Sequence, residues 1–171
     1  MEIHIKQNSE DAMGKIEVRE FNPRGADWDN TNWIERWAWL LDNVSWGSPK
    51  DPYPKKAMEE IPHALAAFGA FDGDKLVGAA CVTDHHSSPD AQDRDAMYFA
   101  LAVVDPRYRN RGIWGRLYAH RLEWVEGRPG RVVTTGENLH GMRMMCDRGW
   151  KPYRMGRNEK GDSFIALYLP R

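Results

Sequence analysis

The chain has 171 residues, 42% of them hydrophobic and 29% charged, and a formal net charge of -1. That length and balance predict one soluble domain with a real core and exclude a disordered chain. A charge so near zero offers no bulk attraction to nucleic acid or to an anionic membrane, so neither is expected as a partner without a local patch.

Residues 1–15 are polar and read as loose or as a leading edge strand, without the apolar stretch of a signal peptide. From Lys15 to Phe21, Ile16, Val18 and Phe21 alternate with Glu17, Arg19 and Glu20, which predicts a first strand. Asn22-Pro23-Arg24-Gly25 ends it. Asp29-Asn30-Thr31-Asn32 offers N-caps for a helix to about Val44, with Ile34, Trp37, Leu41 and Val44 on one face. Trp39 lies roughly opposite Trp37 and is the tryptophan that a core does not explain. Pro49, Pro52 and Pro54 mark a loop, followed by a short helix near Lys55–Glu60.

His63–Phe71 and Lys75–Thr83 read as apolar strands joined by a tight turn, Asp72-Gly73-Asp74. A polar loop from Asp84 to Asp95 leads to Met97–Val104, apolar throughout and therefore a central strand. A basic, glycine-containing turn from Arg107 to Gly115 opens a helix to about Glu126. Strand Arg131–Thr135, helix Asn138–Arg148 with Gly149 as its C-terminal cap, and strands Trp150–Arg154 and Ser163–Leu169 complete the order. The result is an α/β chain with an antiparallel meander first and a crossover helix later. Cys81 and Cys146 make no disulfide framework, which suits a reducing cytoplasm. No run of about 18 apolar residues is present to span a membrane.

The turn after Met97–Val104 carries the most chemistry. A turn between a buried strand and a helix presents unpaired amides at the helix's positive end, where phosphate binds. Gly112 and Gly115 let a ligand approach the backbone, and Asn110 is the non-glycine residue best suited to a positive φ. Arg107, Arg109, Arg111 and Arg116 add positive charge.

Val104-x-Pro106-x-x-Arg109-x-x-Gly112 resembles the pyrophosphate-binding motif of the GNAT acyltransferase superfamily, Arg/Gln-x-x-Gly-x-Gly/Ala. Asn138, followed after a helix by Gly149 and Trp150, resembles the family's Asn-helix-Gly-Phe segment, and the resemblance spans about residues 64–169. It implies a mixed sheet of about six or seven mostly antiparallel strands with a parallel central pair, flanked by about four helices. It implies acetyl-CoA as co-substrate, a primary amine as acceptor (a small molecule or a peptide), direct attack in a ternary complex, and a possible pairing of two copies. The amides of Arg109, Asn110, Arg111, Gly112, Ile113, Trp114 and Gly115 would hold the pyrophosphate. Leu101, Ala102 and Val103 would pair with the pantetheine arm as an added strand, with Asn138 close by.

Two positions depart from the family pattern. Trp114 stands at the motif's second Gly/Ala, its ring facing either the CoA or the helix's packed side. Met145 stands where many members have a proton-donating Tyr, which a thioether cannot replace, leaving Cys146, Tyr153 or water. The early-strand Glu of many members falls near Tyr98, so Tyr98, His85 and His86 are the candidates for proton transfer. Trp39 is the candidate for the acceptor pocket. No metal is called for, and an inactive acyl-CoA-binding domain is the alternative.

Overall fold

The computed structural model describes residues 15–25, 28–44, 58–84, 96–135, 139–157, 161 and 163–170. In chain order these form β1 (Glu17–Phe21), α1 (Trp28–Val44), a 3-10 turn (Ile61–His63), β2 (Ala66–Asp72), β3 (Lys75–Asp84) and β4 (Met97–Val104). A second 3-10 turn (Pro106–Tyr108), α2 (Ile113–Val125), β5 (Gly130–Thr135), α3 (Leu139–Cys146), β6 (Lys151–Arg157) and β7 (Ser163–Leu169) follow.

The strands make one seven-stranded sheet in the order β1-β2-β3-β4-β5-β7-β6. Every neighbouring pair is antiparallel except β4 and β5, which run parallel. The apolar strand Met97–Val104 takes the middle place of the sheet, with a hydrophobic cluster on each face and its residues buried or partly buried. Gly73 closes the β2–β3 hairpin at φ +58.

Two differences from the sequence pattern have plain causes. Pro62 starts a 3-10 turn, so β2 begins at Ala66 rather than at His63, and the His63 side chain is exposed. At the other end of the sheet, β6 runs on to Arg157 as an edge strand with every residue exposed, which periodicity does not mark.

The sheet's two faces bury separate clusters. On one, α1 lays Trp37, Leu40 and Leu41 against Phe71, Leu76, Ala79, Cys81 and Val103. On the other, α2 and α3 lay Ile113, Leu117, Tyr118, Val125 and Met145 against Phe68, Val77, Ala80, Val82, Phe99 and Leu167. Trp37 is fully buried, as its helix face predicts. Trp33 is half-buried, edge-on to Phe71, and donates its indole N–H to the Asp74 carbonyl at 3.1 Å.

Candidate functional site

The site begins with a fault in β4. Phe99, Ala102 and Val104 pack with the α2 cluster, whereas Ala100, Leu101 and Val103 pack with the α1 cluster. Two consecutive residues therefore face the same way, and the register against β3 slips between Ala79↔Val103 and Cys81↔Ala100. This is a β-bulge, and Leu101 sits in it at φ +52. A left-handed leucine is strained, and the structure pins it from the α1 side. The indole N–H of buried Trp37 donates to the Leu101 carbonyl at 2.9 Å.

The bulge lies next to an opening in the sheet. β4 and β5 pair only through Met97↔Gly130 and Tyr98↔Arg131. Beyond Tyr98 the two strands part, and the β4 edge from Phe99 onward makes no ladder with β5. Below the parting point Phe99 meets Trp150 edge-on at 5.2 Å. Trp150 in turn fills the space beside Gly130, where a Cβ would come within 2.8 Å of the indole. Its N–H donates to the Tyr118 hydroxyl at 3.0 Å.

The loop leaving β4 is anchored by Asp105, which is almost completely buried. Its carboxylate accepts from the Arg107 backbone N–H at 3.0 Å and from the Arg107 guanidinium at 2.8 and 3.1 Å. Arg36 of α1 adds a fourth bond at 2.7 Å. The hydrogen bonds from the Arg107 side chain, before any other influence, hold the carboxyl down at about 2. Because that lies below the value of an unfolded chain, the stabilisation from Asp105 is complete above about pH 4 and drains away as the pH falls toward 2. Asp105→Asn is expected to cost about 1–3 kcal/mol at pH 7 in denaturant unfolding. The deficit should shrink as both proteins are taken toward pH 2, and a deficit that stays constant with pH would contradict this role.

The chain then turns through Asn110 at φ +61 and Gly112 at φ +70, and Gly112 caps α2 without any side-chain bond. The first-turn amides of Ile113, Trp114 and Gly115 precede the first i→i−4 bond, Arg116 to Gly112. The expected positive φ at Asn110 and the open backbone at Gly112 are both present.

The four arginines do not act alike. Arg107 is bound to Asp105, and Arg116 donates to the Ile16 carbonyl at 3.0 Å. Both of these side chains are thus held by the protein itself. Arg111 lies over the Tyr108 ring at 5.0 Å and donates to the Arg107 carbonyl, and both Arg109 and Arg111 are exposed beside the turn.

Trp114 takes the packed side of the helix. Its ring stacks on Tyr118 at 5.4 Å, and the Arg148 guanidinium lies 5.0 Å from the ring centre.

Of the proton-transfer candidates, Tyr98 is buried at the last rung joining β4 to β5 and stands opposite Thr83 of β3. The Thr83 hydroxyl is buried and without a hydrogen-bond partner among the described residues. His85, His86 and Asn138 lie outside the described residues. Met145 is core, packed under the α2 cluster. Tyr153 is on the edge strand β6, two strands removed from β5, with its ring against Tyr168, so the fold does not bring it to the opening. Cys146 is exposed at the end of α3.

Cys81 is fully buried, and desolvation pushes its thiol up to about 12, so Cys81 offers no thiolate nucleophile at neutral pH. Arg121, which the sequence reading passed over, is also buried, with its guanidinium 4.9 Å from the Phe99 ring. Burial pushes it down to about 10, and its Nε has no hydrogen-bond partner among the described residues. Trp39 is half exposed, at 50%, and carries the Arg36 guanidinium 4.5 Å from its ring. Among the described residues there is no group of three or more side chains fit to hold a metal ion. No helix among them is long and apolar enough to cross a membrane.

The fold is shared with solved structures. An acetyltransferase of the GNAT family from Streptococcus pneumoniae superposes with a TM-score of 0.63 at 15% identity, covering 91% of this chain and 98% of its own. Ard1 from Thermoplasma volcanium does so with a TM-score of 0.66 at 16% identity, covering 90% and 96%. The NatC complex bound to Gag peptide and CoA contains a chain with a TM-score of 0.66 at 16% identity, covering 92% and 99%. No curated protein matches the sequence. The profile of the acetyltransferase (GNAT) family matches residues 27–146, well over half of the length. A positively tipped helix after a bulged central strand, in a sheet that opens beside it, is therefore set in a sequence of that lineage, and the chain belongs to the GNAT family of acetyltransferases.

Proposed function

We propose that this chain transfers an acetyl group from acetyl-CoA to a primary amine, by direct attack within a ternary complex and as a single domain. One observation carries the reading: the β4 edge that makes no ladder with β5 runs on, within a few residues of chain, into the left-handed Asn110–Gly112 turn at the start of α2. An extended pantetheine arm on that path would bond to Leu101, Ala102 and Val103 as an extra strand. Its diphosphate would then meet the amides from Arg109 to Gly115 at the α2 tip, with Asn138 near the arm. A structural neighbour with CoA bound, the NatC chain, supports this choice of co-substrate.

At the parting point the thioester carbonyl would lie beside the bulge. A lysine-like amine is mostly protonated at pH 7, at a cost of roughly 4.6 kcal/mol for the neutral form, so a proton path is useful. Tyr98 borders that point and, with His85 and His86, is assigned to the path. Tyr118 presents a phenol beside Phe99. That hydroxyl accepts from Trp150, a bond that does not use its own proton, and is assigned as the donor to the departing CoA thiolate. Trp39 is assigned to the acceptor side, where an aromatic face suits a cationic amine. The buried Cys81 thiol supports direct transfer over an acyl-cysteine intermediate.

Thermal shift with acetyl-CoA, followed by thiol release with a panel of polyamines, amino acids and peptides, tests the proposal. Acetyl-CoA at a hundredfold excess over its Kd should stabilise the fold by about 2.7 kcal/mol. No shift would end the CoA reading. A shift without thiol release for any amine would support the inactive binding domain instead.

A further inference from the structure

Arg148 stands in the turn after α3, where Arg148, Gly149 and Trp150 N–H groups close back onto Met145, Cys146 and Met145. One guanidinium nitrogen donates to the Met144 carbonyl at 2.9 Å. The plane lies over Trp114 at 5.0 Å and Tyr118 at 5.5 Å. Its other terminal nitrogen lies 4.0 Å from the point where a Cβ on Gly115 would stand. The charge is therefore carried from the far end of α3 to the first turn of α2, the turn whose amides are open. Among the described residues no carboxylate forms an ion pair with it, in contrast to Arg36 and Arg107.

We propose that Arg148 is a phosphate ligand of the acyl-CoA site, reaching it from the wall opposite the Arg109–Gly112 turn, with Trp114 as its support. The proposal rests on the CoA reading above. It accounts for two features of this chain together. A small residue at position 114 would leave the guanidinium without an aromatic face to lie on, and the glycine at position 115 leaves the side of the helix start open to the nitrogen that reaches it. Arginine suits the task because its planar fork stacks with one surface and donates along its edge.

Arg148→Gln and Trp114→Leu, assayed with acetyl-CoA, 3′-dephospho-acetyl-CoA and S-acetylpantetheine, test this. Arg148→Gln should raise the KM for acetyl-CoA about tenfold or more, the size of one lost charge-assisted bond, with kcat within about twofold. S-acetylpantetheine, which has no diphosphate, should be used equally well by variant and wild type. Trp114→Leu should weaken acetyl-CoA in the same direction by less, and Arg148→Lys should fall between wild type and Arg148→Gln. If the defect persists with the dephospho substrate, the diphosphate is the contact; if it vanishes, the 3′-phosphate is, and both results support the assignment. An unchanged KM for acetyl-CoA in Arg148→Gln would overturn it. So would an equal loss with S-acetylpantetheine, which marks a structural role. Failure of the wild type to bind acetyl-CoA at all would remove the CoA reading itself.

Discussion

Gly112→Asp is expected to raise the KM for acetyl-CoA by about a hundredfold or more while leaving the fold nearly as stable as before. Gly112 sits at φ +70, and a Cβ built there meets no atom within 4 Å. The new side chain thus disturbs no packing. The left-handed backbone costs about 1 kcal/mol, and a negative charge at a helix start returns about 0.3–1 kcal/mol, so the two nearly cancel. What changes is the charge at the open amides of α2, where a diphosphate would now meet a carboxylate. Calorimetric titration with CoA, together with a melting curve, separates the effects. Retained affinity in a folded variant would show that the turn does not receive phosphate.

Trp37→Phe is the second large effect. Trp37 is fully buried, and its N–H donates to the Leu101 carbonyl. Phenylalanine removes that buried bond, costing about 1–3 kcal/mol, and adds a smaller loss from reduced volume. The bulge is strained by the left-handed Leu101, a conformation worth about 1–3 kcal/mol that persists only under outside restraint. Without the indole bond the bulge should relax toward regular pairing with β3 and shift the β4 edge. We expect kcat/KM to fall about tenfold or more, a fall that misplacement by an ångström is sufficient to produce. Denaturant unfolding and steady-state rates at low temperature would test both parts. A destabilised variant with unaltered kcat/KM would mean that the bulge does not depend on Trp37.

Much of this site is legible in the sequence because its signals are local. Gly112 and Asn110 announce positive φ by residue type, and the apolar run Met97–Val104 announces a central strand. Trp39 stands out against the helix's buried face, and it is half exposed. What could not be read depends on contacts distant in sequence. Nothing about leucine suggests φ +52; the restraint comes from Trp37, 64 positions earlier. Arg107 looks like a phosphate ligand until Asp105 folds onto it, and the motif alone does not distinguish it from Arg109. Arg148 carries no motif, and its relation to Gly115 arises only when α3 returns beside α2. The buried Arg121 reads as surface charge until α2 turns it toward Phe99.

The two-rung contact between β4 and β5 has a mechanical consequence. It divides the sheet into a four-stranded and a three-stranded half, hinged at Met97 and Tyr98 and held below by the wedge of Trp150 against Phe99 and Gly130. Each half presents a row of main-chain groups to the gap, so a co-substrate bound along it would act as a strut. Solvent deuterium should then enter the inner amides of the gap quickly in the empty protein and slowly once it is filled, with the wedge below exchanging slowly in both states.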